Sequence, residues 1–232
     1  MTAASDNNLI RHYQKRYRIS EILSDDLMSQ LSVFHFNPRE YIIRTHDPLK
    51  RLYFFVEGKA KVFMTMENGK SLMMRFYEPF EIIGDVEFAC YDHHICNLQA
   101  ISPVTCLGID ISAVKRSIEA NTNLLLYICK SLGQKLATFN MSSAINQMYP
   151  LENRLASYLI AISNHSEDHS GIIKEIYADN LTELAALLGT SYRQLTRVIR
   201  KFRDAGILGR DDKEMVILDF EQMKQLSSDV YG

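Results

Sequence analysis

Between residues 32 and 110 the apolar residues come in short runs cut by turn formers, and from Ile111 onward they come at helical spacing. Strands and helices bury their apolar residues at periods of two and about 3.6, so this change of period predicts a β-rich unit followed by a helical one. Phe34-His35-Phe36 runs into a turn at Asn37-Pro38, Tyr41-Ile42-Ile43 follows, and His46-Asp47-Pro48 interrupts. Leu52 to Val56 is a continuous apolar run that reads as a strong strand, and Gly58 turns the chain. Lys59 to Met66 begins with polar and apolar residues alternating, as in a half-buried strand. Asn68-Gly69 suits a two-residue hairpin turn, since both positions tolerate positive φ, and Ser71 to Phe76 returns as the partner. Asn97 to Ile101 and Val104 to Ile109 flank Ser102-Pro103. Many short strands at regular spacing predict an antiparallel sandwich or barrel.

Ahead of the strands, residues 1–30 read as helical, with Leu23, Leu27 and Leu31 four apart on one face. Behind them, Ile111 to Gln147 reads as one helical stretch. Within it Leu125, Cys129, Leu132, Leu136, Phe139, Ser143 and Asn146 alternate in steps of four and three. That is a heptad seam, and it predicts pairing with a second copy of the helix; the alternative is a helix packed on its own sheet. Pro150 ends this helix or opens the next, in which Leu151, Leu155, Tyr158, Leu159 and Ile162 share a face. Ser163 to Gly171 is polar and reads as a loop. The expected organisation is a sensor-type β domain over 1–112, a dimerisation helix over 113–148 and a third unit over 149–232.

The third unit carries the functional signal. Asn180, with Glu183 three residues on, marks a helix start, and Leu181, Leu184, Ala185 and Leu188 form its apolar face. Gly189 makes a turn, and Ser191 caps a second helix from Tyr192 to about Asp204 with Leu195, Val198, Ile199 and Phe202 inside. Two helices joined by a few residues containing a glycine make a helix-turn-helix. Ile207-Leu208 and Met215 to Leu218 flank a polar turn from Arg210 to Glu214, a wing. From Ser191 to Arg203 the charged residues are Arg193, Arg197, Arg200, Lys201 and Arg203, with no acid among them. The chain as a whole has 26 Lys+Arg against 28 Asp+Glu, so the positive charge is local to this helix. Arg193, Arg197 and Arg200 share the face opposite the apolar one. A basic helix face neutralises phosphates in the major groove, and arginine donates bidentately to guanine. The plainer reading is a solvated basic face; its place on the second helix of a helix-turn-helix, ahead of a wing, favours DNA.

Taken with the order of sheet, long helix and winged helix, Leu188-Gly189-Thr190-Ser191-Tyr192-Arg193-Gln194-Leu195-Thr196-Arg197 resembles the CRP/FNR family of transcription regulators, the cyclic-AMP receptor protein type. Leu52 to Val62 around Gly58, Ile83-Gly84-Asp85 and Arg154-Leu155-Ala156 add to the likeness, which covers nearly the whole chain. The Ser191-Tyr192-Arg193 start of the second helix is similar to the YeiL-like branch. The resemblance implies an α+β chain: an N-terminal antiparallel β jelly roll like a cyclic-nucleotide-binding domain, a long dimerisation helix seamed by Leu125, Cys129, Leu132, Leu136 and Phe139, and a C-terminal winged helix-turn-helix. It further implies a homodimer on a pseudo-palindromic operator, with RNA polymerase as a partner if the protein activates; ten methionines and an unpatterned cysteine set suggest a reducing, cytoplasmic setting. Ser191, Gln194 and Asn180 would then contact phosphate, Arg193 and Arg197 would face bases with Tyr192 and Thr196 beside them, and Arg200 and Lys201 would complete the DNA surface. Arg193 departs from the glutamate of better-known members, so the operator should differ there.

In the receptor type a Gly-Glu pair, followed by Arg-Ser, holds cyclic AMP. Here Gly84-Asp85 stands for the first pair and reads most simply as a turn, while His94-Ile95 falls where Arg-Ser belongs. Ile95 has no donor for a phosphate and His94 is a weak replacement, so the pocket formed by Gly84, Asp85, His94 and Ile95 is expected not to take cyclic nucleotide. Iron–sulfur relatives cluster cysteines near the N-terminus, whereas the first cysteine here is Cys90. Cys90, Cys96 and Cys106 read as small buried hydrophobes rather than a redox set, and Cys129 lies on the seam. His93-His94, beside Asp92, would point to opposite faces of a strand, and His165 with His169 lies in a polar loop, so each pair reads as solvated rather than ligating; no metal or cofactor is expected. A cupin-type enzyme would need two histidines one residue apart, a spacing His93-His94 lacks. With 47% hydrophobic and 23% charged residues, no apolar N-terminal leader and no run of about 20 apolar residues, neither disorder nor a membrane span is expected.

Overall fold

The computed structural model describes residues 2–4, 6–67, 69, 71–77, 79–163, 171–173, 181–211 and 214–227. The chain divides into two compact units. Met1–Val62 with Tyr77–Phe139 forms the first, and Phe63–Phe76 with Asn140–Gly232 forms the second.

The first unit opens with strand β1 (Thr2–Ala4) and helix α1 (Asn7–Arg16). Asp6 caps α1 by accepting from the N–H groups of Asn8 and Leu9 at 3.1 and 3.0 Å. A 3₁₀ turn (Ile19–Glu21) leads to α2 (Asp25–Ser29). Leu23, Leu27 and Leu31 are all buried as their spacing predicts, but not on one helix: α2 starts after Ser24, and Leu23 and Leu31 flank it. The opening strand was not legible, because three residues are too few to establish a period.

Strands β2 (Ser32–Phe36), β3 (Tyr41–Ile43), β4 (Arg51–Glu57), β5 (Ala60–Thr65), β6 (Ser71–Tyr77) and β7 (Glu81–Ile83) follow. Helix α3 (Asp85–Cys90) then leads to β8 (Asn97–Ala100) and β9 (Val104–Asp110). They form two antiparallel-type layers, ordered β1-β2-β9-β4-β7 and β3-β8-β5-β6, the jelly roll. Every residue from Leu52 to Val56 is buried. Leu52, Phe54 and Val56 pack with Ile19, Leu27, Ile82 and Leu107, while Tyr53 stacks edge-on against Phe34 from the opposite face of β4. A strand covered on both faces has no reason to alternate, which is why β4 reads as an unbroken apolar run. Gly58 has φ +99, and a side chain there would press to 2.3 Å from the Pro103 carbonyl oxygen, so the turn after β4 admits only glycine. Gly69 also has positive φ and its N–H reaches the Met66 carbonyl at 2.9 Å; Asn68 lies outside the described residues.

The stretch from Ile111 is three pieces rather than one helix: α4 (Ile111–Ser117), a 3₁₀ turn (Ile118–Ala120) and α5 (Thr122–Met148). The interruption falls at Asn121, which is buried and accepts from the Leu124 N–H at 3.2 Å. An asparagine that hydrogen-bonds nearby backbone competes with helix continuation. Leu124 and Ile128 of α5 enter the core, Tyr127 and Leu132 pack partly against it, and Leu125, Leu126, Cys129 and Leu136 are exposed.

In the second unit, Pro150 immediately precedes α6 (Leu151–Ile162), whose Leu155, Leu159 and Ile162 are buried. Strand β10 (Gly171–Ile173) is followed by α7 (Leu181–Leu187) and α8 (Tyr192–Asp204). Strands β11 (Leu208–Asp211) and β12 (Glu214–Ile217) pair antiparallel, with Asp211 opposite Glu214, and form the wing in a sheet ordered β10-β12-β11. Helix α9 (Phe220–Ser227) packs on α6, and the Ser157 hydroxyl donates to the Ser227 carbonyl. No helix among the described residues is long and apolar enough to cross a membrane.

Candidate nucleic-acid interface and sensor cluster

The turn between α7 and α8 is built by the backbone. Gly189 sits at φ 62; its N–H reaches the Ala186 carbonyl at 3.0 Å, and the Thr190 N–H reaches the Ala185 carbonyl at 2.8 Å. This double bond is a Schellman closure, which satisfies the last carbonyls of α7 and needs a left-handed residue where the glycine stands. Two residues later Ser191 accepts from the Gln194 N–H at 3.2 Å and starts α8. The Gln194 Oε1 in turn accepts the Thr190 hydroxyl at 2.8 Å. Arg154 of α6 braces the same turn, donating to the Leu188 carbonyl at 2.6 Å. The position of α8 relative to α7 is therefore fixed by bonds on both sides of the turn.

Helix α8 divides sharply. Leu195, Val198, Ile199 and Phe202 are buried, while Tyr192, Arg193, Gln194, Arg197, Arg200 and Lys201 are exposed. Thr196 is half-buried, and its hydroxyl bonds back to the Tyr192 and Arg193 carbonyls at 3.0 and 3.1 Å. On a helical projection Arg193, Arg197 and Arg200 lie opposite the buried stripe, and Lys201 lies on one flank beside Gln194. Lys201 Nζ stands 3.4 Å from Glu152 Oε1 at the start of α6. Its own backbone N–H, then Lys201 and Arg197, hold the Glu152 carboxyl below the usual range. Asn180, His165 and His169 lie outside the described residues, and the side chains of Phe139, Ser143 and Asn146 do too.

The Gly84-Asp85 motif is more than a turn. Gly84 does turn the chain, at φ +96, but Asp85 opens α3 and is buried to 1% exposure. One of its carboxylate oxygens accepts the Ser131 hydroxyl at 2.7 Å and the other the Lys135 ammonium at 2.5 Å. Both partners come from α5. Burial pulls the Lys135 ammonium down, but Tyr77 and Asp85 more than offset this and leave it above its ordinary value. Glu87, two residues on, is also buried; it accepts from the Ile95 N–H at 3.3 Å and lies 3.4 Å from His94 Nδ1. Burial pushes its carboxyl up, but His94 with the backbone donors outweighs that and holds it below the usual carboxylate range. His94 itself is buried, with its N–H on the Asp47 carbonyl and its carbonyl receiving the His46 N–H.

Of the cysteines, Cys106 is fully buried and Cys96 half-buried, its thiol pushed up to about 12 by burial. Cys90, expected to be buried, is exposed instead: it is the last residue of α3 and lies in an exposed run with Ala89 and Tyr91. Ser131, Lys135 and Glu87 were missed from sequence. A signal existed for the first two: Leu124, Ile128, Ser131 and Lys135 step by four and three, so two polar residues continue the inward face of α5.

A cyclic nucleotide-binding domain model matches residues 33–121 and a Crp-like helix-turn-helix domain model matches residues 153–226. The regulatory protein YeiL of Escherichia coli O157:H7 is 28% identical over 202 residues, 87% of this chain and 88% of that protein. The chain belongs to the CRP/FNR family of transcription regulators. It is a DNA-binding regulator built on that family's order of domains. The CRP-like cAMP-activated global transcriptional regulator of Mycobacterium tuberculosis is 19% identical over 198 residues, 85% of this chain and 88% of that protein. Among solved structures, a putative CRP/FNR regulator from Eubacterium rectale superposes with a TM-score of 0.71 at 14% identity, covering 87% of this chain and 91% of that one. A CRP-family regulator from Thermus thermophilus gives 0.68 at 16% identity, covering 86% and 98%. These two likenesses show the fold.

Proposed function

We propose that this regulator binds a pseudo-palindromic operator as a homodimer, through α8, with no cyclic nucleotide required. The observation that carries the reading is the exposed arc of Arg193, Arg197 and Arg200 on a helix whose start is fixed by the Gly189 closure and the Ser191 cap. Arginine forks match guanine edges, so Arg193 and Arg197 read bases, with Tyr192 offering an aromatic edge beside them and Thr196 behind. Arg200 and Lys201 meet phosphate, as do the start of α8 at Ser191 and Gln194 and, next before α7 in the sequence, Asn180. With its Oε1 on the Thr190 hydroxyl, Gln194 keeps its amide N–H groups for a phosphate oxygen.

A second copy of the chain covers α5. Leu125, Cys129 and Leu136 are exposed at the heptad spacing, Leu132 lies between them, and Phe139 continues the series. A two-fold dimer places its two α8 helices on half-sites about one helical turn apart. The chemistry of the motif argues against a cyclic nucleotide. Asp85 is engaged by α5, His94 is engaged through its backbone and buried, and Ile95 offers no side-chain donor. The protein works in the cytoplasm as a regulator rather than an enzyme, and an activating role would add RNA polymerase as a partner.

The test is a titration of a fluorescent duplex of random sequence by ligand-free protein at several salt concentrations. Binding that weakens as a power of salt, with a slope of about 0.9 per phosphate contacted, is expected. The Arg193→Ala/Arg197→Ala variant should keep most of that slope and lose sequence preference. Absence of binding at about 50 mM salt contradicts the reading.

A further inference from the structure

The acid of the sensor motif already has a cation. Asp85 Oδ1 accepts the Lys135 ammonium and also the Val86 N–H at 3.0 Å, and Oδ2 accepts the Ser131 hydroxyl. Lys135 Nζ donates a second hydrogen to the Ile82 carbonyl at 2.7 Å and lies 5.3 Å from the centre of the Tyr77 ring. Both carboxylate oxygens are thus taken by the chain itself. The ion pair is 1% exposed on the acid and 14% on the lysine, which places it far from the solvent screening that makes surface pairs weak.

Ser131 and Lys135 lie four apart on one stripe of α5, and Leu132 and Leu136 are each the next residue along, about 100° further round the helix. Whatever fixes the first stripe against β7 and α3 therefore fixes where the second one points. We infer that Lys135 is a built-in substitute for an effector: paired with Asp85, it sets the rotation and axial position of α5 on the sensor sheet, so that the leucine seam is presented without any bound ligand. The inference deepens the proposed dimeric regulator and rests on that reading for its consequence, though not for the tether itself. Lys135 and Asp85 are positioning residues. Neither is among the proposed DNA contacts.

Removing one member alone would strand a buried charge, so the informative variant removes both: Asp85→Asn with Lys135→Met. Two readouts separate the tether from the dimer. Amide exchange over residues 128–138 reads the tether, and should quicken about tenfold while exchange in β4 and β9 is unchanged. Sedimentation equilibrium reads the seam, and the dimer should dissociate about fivefold more readily. Wild-type exchange rates over 128–138 in the double variant would overturn the inference. A wild-type protein that is monomeric at every concentration would sink the dimer reading, while the exchange result would still decide the tether. If the double variant does not fold, Ser131→Ala takes its place. It deletes one hydrogen bond and keeps the ion pair, and should quicken exchange over 128–138 about threefold; no change there overturns the inference.

Discussion

Replacing Glu152 with glutamine tests how α8, the helix proposed to face DNA, is balanced electrostatically. Glu152 Oε1 and Lys201 Nζ are 3.4 Å apart, with side chains 30% and 68% exposed. At that separation Coulomb's law in a water-like medium gives about 1 kcal/mol. Exposed pairs measured by double-mutant cycles are worth about 0.2–1 kcal/mol, since ordering two long side chains offsets part of the attraction. If Lys201 must leave Glu152 to reach a phosphate, that amount is withheld from DNA affinity in the wild type. Glu152→Gln should therefore tighten binding to a random duplex by about 1.4- to 5-fold at roughly 50 mM salt. The gain should shrink as salt approaches about 0.5 M, where screening has already loosened the pair. Fluorescence anisotropy on a labelled duplex of about 20 base pairs, at both salts, reads the effect directly. Weaker or unchanged binding in the glutamine variant at low salt would refute the argument that Lys201 faces the phosphate backbone.

Other variants probe the remaining parts. Arg197→Ala should cost about 1–3 kcal/mol on a selected operator and much less on random duplex; equal losses on both would make Arg197 a phosphate contact. Ser191→Ala removes the cap of α8 and should lower stability by about 1 kcal/mol, read as a denaturant midpoint shift with unchanged slope. Leu136→Glu should produce a monomer of nearly wild-type helicity, because Leu136 is 62% exposed in the single chain and its loss leaves no cavity. Leu132, which packs partly into its own core, is the poorer site for that experiment, and a Leu136→Glu protein that still sediments as a dimer would move the interface elsewhere.

Helix α8 was legible to the residue, since an apolar stripe, a serine cap and a preceding glycine are all local signals and all describe one object. The wing was equally visible, from two apolar runs around a polar turn. The strands of the jelly roll could be read where they are long and fully covered, as β4 is, or are wholly β-branched and aromatic, as the short β3 is, and not where a short strand lacks that composition, as in β1 and β7. What escaped was the clamp at Asp85. Its partners lie 46 and 50 residues away, and the carboxylate alone in a Gly-Asp pair gives no hint that a lysine four residues past a serine will find it. The break at Asn121 escaped for a different reason: one buried asparagine overrides helical periodicity on both sides of it, and a period averages over such a point.

The central claim is that this protein reads a symmetric DNA site without a ligand. Selection of bound sites from a random duplex library, using purified full-length protein with no added nucleotide and at stated salt, tests it most directly. The expected result is enrichment of a pseudo-palindrome with half-sites about one helical turn apart and a guanine preference opposite Arg193. Failure to enrich any sequence under conditions where the protein is folded and dimeric would contradict it.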